Sequence, residues 1–273
     1  MNSKITTGQL DIVNLSFSSI PNYGKRKIRI WTPEGYNPDD KSRLYPVIYM
    51  HDGQNIFNFF DKSMEMWNLN ELISDSIIVG VDHGAEKRID ELSPRAWTKY
   101  GKNNSLVRHP CGEEYCDFLV NTVMPYVNKN YSVKQGREFT SIGGSSMGGI
   151  MSLYIALTYK EIFGKAYVFS PAFKVYSAGF FEKYLQENPI ILENLPYLYI
   201  ASGGTHGAER KGSGGDESII AKYVPYIKVE LTKRGYPENK IKTQILEGRV
   251  HHECTWRELF PGAYNWLENR FKN

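Results

Sequence analysis

The chain is predicted to be an α/β protein, with a mostly parallel central sheet covered by helices on both faces. Short apolar, β-branched runs alternate along it with longer stretches of helical period, the pattern of strands joined by crossover helices. Its 273 residues suit one large domain with an ordinary core. A glycine-rich turn at residues 143–149 stands where one of these runs passes directly into a helical stretch.

In chain order, strands are expected at residues 27–32, 46–51, 76–81, 138–142, 166–170, 197–201 and 242–246. Between the third and fourth, residues 113–128 place Tyr115, Phe118, Leu119, Thr122, Val123 and Val127 on one helical face. Residues 147–159 form the helix that follows the glycine-rich turn. Residues 216–234 carry Ile220, Tyr223, Val224, Ile227 and Leu231 in phase and stop at Gly235, with Pro237 beyond. Pro225 inside that stretch predicts a kink or a shifted start. The last stretch, 255–271, is helical in pattern but expected to break near Pro261-Gly262. Residues 57–66, 83–111 and 203–215 look like loops. The second is long enough to act as a lid or pocket wall, with Arg88, Asp90 and Glu91 either at the pocket mouth or a solvated charge cluster.

The formal net charge of +3 is spread without a basic block, which argues against nucleic acid or an anionic membrane as partner. Neutral or modestly polar small molecules fit better. Aromatic residues reach 14%, with 19 tyrosines, enough for a tyrosine-rich surface or for stacking walls around a sugar or aryl group. Cys111, Cys116 and Cys254 cannot all pair within one chain, so a reducing compartment is the simplest inference. The start, Met1-Asn2-Ser3-Lys4-Ile5-Thr6, lacks the apolar run of a signal peptide, and no window approaches about 18 apolar residues. A soluble cytoplasmic protein is expected.

Gly144 and Gly148 flank Ser146 in a G-x-S-x-G pattern, the turn that mounts a serine nucleophile between a strand and a helix in α/β-hydrolases. A serine hydroxyl is a weak nucleophile at neutral pH, so it needs a histidine base and a carboxylate to fix that base's tautomer. In this fold the three follow the order Ser, Asp/Glu, His. The histidines well after Ser146 are His206, His251 and His252, and the last two lie just past the final expected strand. For the acid, Glu209 lies nearer the preceding strand end. Asp216 and Glu217 also read as first-turn carboxylates that complement a helix dipole. Glu209 is favoured over Asp216. Two backbone N–H donors must hold the oxyanion: Met147 after the nucleophile, and Gln54 in the loop His51-Asp52-Gly53-Gln54-Asn55.

No cofactor or metal is implied. Adjacent histidines in His251-His252-Glu253 cannot share one helical face as H-E-x-x-H does, and Lys211-Gly212-Ser213 lacks the order of a phosphate loop. Cys116 and Cys254 read as small hydrophobes rather than nucleophiles.

Four segments carry a family resemblance: Tyr49-Met50-His51-Asp52-Gly53-Gln54-Asn55, Gly143-Gly144-Ser145-Ser146-Met147-Gly148-Gly149, Phe169-Ser170-Pro171-Ala172-Phe173 and His251-His252-Glu253-Cys254-Thr255-Trp256. Together they resemble the putative esterase family. This is an α/β-hydrolase group close to esterase D, to feruloyl and acetylxylan esterases of carbohydrate esterase family one, and to siderophore trilactone esterases. The resemblance covers nearly the whole chain. It implies Ser146 as nucleophile, the amides of Met147 and Gln54 as oxyanion donors, and His251 as base, since the family's histidine stands five residues before a tryptophan and two before a glutamate. It departs at the acid, because Gly204-Thr205 is followed by His206-Gly207-Ala208 where family members commonly place a carboxylate.

The expected activity is serine ester hydrolysis through an acyl-enzyme, with acetyl or hydroxycinnamoyl esters of sugars as the substrates the resemblance implies. Siderophore trilactone hydrolysis and acyl transfer to a sugar hydroxyl are the alternatives on the same machinery. A non-catalytic binding module is the alternative from another class.

Overall fold

The computed structural model describes residues 8–20, 23–57, 67, 69, 73, 75–204 and 216–269. Eight strands form one sheet: β1 (Gln9–Ser16), β2 (Lys25–Thr32), β3 (Val47–His51), β4 (Ile77–Val81), β5 (Thr140–Ser145), β6 (Lys165–Phe169), β7 (Tyr197–Gly203) and β8 (Ile241–Leu246). Their spatial order is β1-β2-β4-β3-β5-β6-β7-β8. From β4 through β8 every neighbouring pair is parallel, while β1 and β2 add an antiparallel edge. The chain runs from β3 outward to β4, then returns to place β5 on the other side of β3. Such a reversal opens a crevice at the carboxyl ends of the two diverging strands.

The central strands are buried on both faces because their side chains alternate between two cores. Tyr49, Ala166, Val168, Leu198 and Ile200 join the larger cluster, with Trp97, Phe118, Ile150 and Phe173. Their neighbours Ile48, Met50, Tyr167, Phe169 and Tyr199 join the second, with Trp31, Trp256 and Phe260. Each large side chain withdrawn from water contributes roughly 1.5–3 kcal/mol. Seven of these strands are legible as apolar runs. β1 is not, because as an edge strand it is nowhere fully buried along its length.

Among the described residues the helices, in chain order, include α1 (Gly53–Phe57), α2 (Arg88–Glu91), α3 (Arg95–Thr98), α4 (Gly112–Phe118), α5 (Met124–Asn130), α6 (Met147–Thr158), α7 (Phe180–Glu187), α8 (Glu217–Ala221), α9 (Tyr223–Thr232) and α10 (Glu253–Glu268). The helix expected over 113–128 is divided by a π-helical turn at Leu119–Val123. Pro125 lies just beyond it, and a proline with no N–H and a ring against the preceding turn favours a wider turn there. The stretch expected over 216–234 is likewise two helices, meeting at Lys222 three residues before Pro225.

Two expectations are corrected. No break occurs at Pro261-Gly262, because α10 runs through Pro261; a single missing ladder bond on a partly exposed face is tolerable where the opposite face is anchored. That anchor is Glu268, which accepts from Ser141 Oγ and Tyr167 OH, each at 2.8 Å, and pairs with the buried Lys165. Residues 83–111 are not a structureless loop either. They hold α2 and α3, and Trp97 is wholly buried, with six aromatic rings from Tyr154, Phe173, Tyr176, Phe180, Phe181 and Tyr184 centred 5.5–6.1 Å away. The segments 58–66 and 205–215, expected as loops, lie outside the described residues.

Candidate active site

Ser146 is the hinge between β5 and α6, with φ 60° and ψ −115°. A non-glycine residue rarely holds such a conformation unless its surroundings enforce it. They do so here through close packing. A Cβ on Gly144 would lie 3.0 Å from the Gly148 backbone and from His51 Cδ2, and one on Gly148 would lie 3.1 Å from His51 Cβ. The flanking glycines therefore let the end of β3 press against the turn. Backbone bonds from Ser146 N to Phe169 O at 2.9 Å and from Ala172 N to Ser146 O at 3.2 Å fasten it to the end of β6.

His251 follows β8 and is 2% exposed. Its Nε2 stands 2.9 Å from Ser146 Oγ and its Nδ1 2.6 Å from Glu217 Oε2. The carboxylate of Glu217 is buried at the first turn of α8, and its second oxygen accepts from Ser170 Oγ at 2.5 Å and from Gly203 N at 2.7 Å. Ser170, whose φ is 42°, in turn accepts from Trp256 Nε1 at 2.8 Å. The indole of Trp256 also meets the His251 ring edge-on, centroids 5.1 Å apart. The imidazole is thus held by a carboxylate on one nitrogen and an aromatic wall, with the serine hydroxyl on its other nitrogen.

On the β3 side, α1 begins directly after His51 and Asp52, beside the serine turn. Gln54 is its second residue and Met147 is the first of α6. Backbone N–H groups at these positions have no partner within their own helix. The Gln54 side chain accepts from His83 N at 3.1 Å. Asp52, with φ 58° and 3% exposed, is clasped by Arg88 of α2, Nε to Oδ1 at 2.6 Å and Nη2 to Oδ2 at 2.7 Å. Burial opposes ionisation of Asp52, but the Arg88 charge and its hydrogen bonds outweigh it and hold the carboxyl below the usual range. Beneath them, Glu253 accepts from Asn55 Nδ2 at 2.7 Å, and burial pushes its carboxyl up to about 8. Burial also drives His51 down to about 4, while its Nδ1 stands 2.8 Å from Tyr115 OH.

Ser146 and His251 are brought together. His252 instead caps α10, its Nδ1 taking the Cys254 N–H at 3.4 Å. His206 and Glu209 lie outside the described residues; the position Glu209 was expected to fill, on Nδ1 of His251, is taken by Glu217. Asp216 is the helix cap, accepting from Ser218 N at 2.9 Å and Ser218 Oγ at 2.6 Å. The Arg88, Asp90, Glu91 group is not a solvated cluster. Glu91 is fully buried against Arg26, Nη2 to Oε1 at 2.6 Å, and Asp90 takes the backbone N–H groups of Arg108 and His109 at 2.8 and 2.9 Å. Ser170, Asp52 and Arg88 are singled out by the sequence but their contacts are not, since neither Ser170 on Glu217 nor Arg88 on Asp52 follows from a spacing motif. Among the described residues no group of three or more His, Cys, Asp or Glu could hold a metal ion, and no helix is long and apolar enough to cross a membrane. A serine hydroxyl facing an imidazole that is backed by a carboxylate is suited to acyl transfer.

The profile of the family described as putative esterase matches residues 22–264. The uncharacterized protein YbbA of Bacillus subtilis is 22% identical over 249 residues, covering 89% of this chain and 93% of that one. The endo-1,4-beta-xylanase/feruloyl esterase of Xylanibacter ruminicola is 24% identical over 84% of this chain, which spans 27% of that longer protein. Among solved structures, the siderophore hydrolase EstA from Aspergillus nidulans superposes with a TM-score of 0.74 at 16% identity, covering 96% of this chain and 95% of its own. An enterochelin esterase from Shigella flexneri does so at 0.69 and 15% identity, over 96% of this chain and 59% of that one. At such identities the likeness is one of fold, the α/β-hydrolase fold.

Proposed function

The chain belongs to the putative esterase family and is a serine-type carboxylic ester hydrolase; from that premise we propose that Ser146, His251 and Glu217 are its catalytic triad. The observation that carries the assignment is His251 standing between the other two, 2.9 Å from Ser146 Oγ and 2.6 Å from Glu217 Oε2. Ser146 Oγ attacks the ester carbonyl carbon as its proton passes to His251 Nε2. Glu217 accepts Nδ1–H and stabilises the imidazolium. The tetrahedral oxyanion is held by the N–H groups of Met147 and Gln54, where the helix dipoles also favour negative charge. Collapse returns the proton to the departing alkoxide, and a water activated by the same imidazole releases the acid.

The preferred substrates are acetyl or hydroxycinnamoyl esters of small sugars. This is supported by the motif resemblance and by the relative that bears the name feruloyl esterase. The whole chain acts as one catalytic unit, with residues 83–111 as a fixed wall rather than a lid, as the burial of Trp97 and the Arg88–Asp52 clasp favour. The three cysteines are all free thiols, which fits the cytoplasm. A fluorophosphonate probe tests the assignment: the wild type should be labelled at Ser146 and Ser146→Ala should not. Labelling at another residue, or none, refutes it.

A further inference from the structure

Glu253 ties together two parts of the site that lie far apart in sequence. It is the first residue of α10 and follows His251 by two positions, so its backbone belongs to the turn that carries the base. Asn55 Nδ2, 198 residues away, donates to its Oε1 at 2.7 Å, and Asn55 follows Gln54 in α1. The residues that lead into α1 are each held by a different neighbour. Asp52 is clasped by Arg88 of α2, a Cβ on Gly53 would lie 2.5 Å from the Gly80 backbone of β4, and Gln54 Oε1 accepts from His83 N. The Asn55–Glu253 bond is the one of these ties that runs to the turn of the base.

We propose that Glu253 is a positioning residue for the oxyanion site, holding the Gln54 N–H in register with the base through its hydrogen bond to Asn55. This rests on the esterase reading and on Gln54 as an oxyanion donor. Displacement by about 1 Å near a reacting centre can cost about a hundredfold in rate, and a misplaced oxyanion donor weakens the transition state rather than the bound ester. The charge of Glu253 matters as well as its reach. His51 and Asp52 face it from the end of β3 and Arg88 from α2, while Asn55, Trp67, Ser145 and Phe169 are its uncharged neighbours; its own segment carries His251, His252 and Arg257. Arg88 is already paired with Asp52, so an ionised Glu253 would lack a counterion of its own. The space left among these side chains is about 10 Å³, room for no more than one water. Burial accordingly pushes the carboxyl up to about 8, and the neutral form is the one present at pH 7. At higher pH it sets a negative charge beneath the turn where the oxyanion forms, which opposes the reaction.

The test measures kcat and KM for methyl butyrate, whose poor leaving group keeps acylation slow so that KM reports binding. The wild type is compared with Asn55→Ala, Glu253→Ala, Glu253→Gln and the double alanine variant. Each single alanine variant should lower kcat about tenfold with KM within about twofold of wild type. The double variant should fall no more than about threefold below either single, since one tie can be lost only once. Glu253→Gln keeps the acceptor and should recover most of the kcat that Glu253→Ala loses. Wild-type kcat should decline as pH rises through about 8, and Glu253→Gln should remove that decline. Asn55 is only half-buried, so Asn55→Ala and the pH profile decide the matter if Glu253→Ala does not fold. Asn55→Ala with kcat within about twofold of wild type, losses that multiply in the double variant, or a decline above pH 8 that Glu253→Gln leaves unchanged would each overturn the assignment. Fluorophosphonate labelling separates the two levels of inference. A wild type that labels at Ser146 and cleaves methyl butyrate while the variants match it sinks the positioning role alone; one that neither labels nor cleaves any ester sinks the esterase reading with it.

Discussion

Glu217 and Asp216 are adjacent in sequence but serve different ends, since Glu217 Oε2 lies 2.6 Å from His251 Nδ1 while Asp216 turns away to cap its own helix through Ser218. Replacing Glu217 by Gln should lower kcat by about four orders of magnitude, the scale seen when a triad carboxylate is neutralised. Asp216→Ala removes a helix cap and should cost about 1 kcal/mol, read as a lower melting temperature with kcat retained. Turnover of a simple aryl ester, measured for both variants and for Glu209→Ala, checks the assignment; a collapse confined to Glu209→Ala would contradict it.

Ser170 joins the Trp256 indole to the Glu217 carboxylate. Ser170→Ala leaves the buried indole N–H without its acceptor and removes one donor from Glu217, a loss of about 1–3 kcal/mol. We expect lower stability in urea together with a fall in kcat of about tenfold, because the carboxylate is less firmly held. A variant that unfolds earlier but keeps full kcat would make Ser170 purely structural.

Alanine substitution at two glycines should have opposite signs. At Gly149 the added Cβ would sit 2.4 Å from Phe169 O, a backbone atom of the neighbouring strand end, so Gly149→Ala should destabilise by about 1–3 kcal/mol. At Gly262 in α10 the nearest atom is Tyr199 OH at 3.4 Å, an ordinary contact. Gly262→Ala should stabilise by about 0.5–1 kcal/mol through helix propensity. Denaturant midpoints at fixed m-value decide both.

Glu253 and His51 give stability a pH dependence with two slopes. Between the ordinary 4.5 and about 8, native Glu253 keeps a proton that the unfolded chain has lost, so stability falls by about 1.4 kcal/mol per pH unit as pH rises. Between about 4 and the ordinary 6.5 the unfolded chain protonates His51 and the native protein does not, so stability rises with pH by the same amount. The two nearly cancel from 4.5 to 6.5, leaving a net decline from 6.5 to 8. Glu253→Gln should abolish that decline and uncover the His51 slope below 6.5. Thermal melts of both proteins from pH 4.5 to 9 test this, and parallel curves would refute it.

Much of this was legible in one sequence. The central strands announce themselves because both their faces are buried, and Ser146 because the crowding of Gly144 and Gly148 forbids side chains there. His251 is marked by its place just past the last strand and by the residues that follow it. Glu217 is not, since acidic residues at a helix start commonly serve the helix itself. Whether such a side chain turns back toward the sheet depends on Ser170 and Gly203, which are remote in sequence. The same holds for residues 83–111, whose polar composition hides that Trp97 anchors them within the larger core.

The Arg88–Asp52 clasp also limits how this enzyme could be engineered. Residues 83–111 look like an interchangeable surface insert, suited to swapping with a relative's segment to change selectivity. Such a graft would strip Asp52 of its counterion while leaving it buried beside the proposed oxyanion turn, at a cost of about 3–5 kcal/mol. A transplant that keeps an arginine at position 88 avoids that penalty, so any chimera library should hold that residue constant.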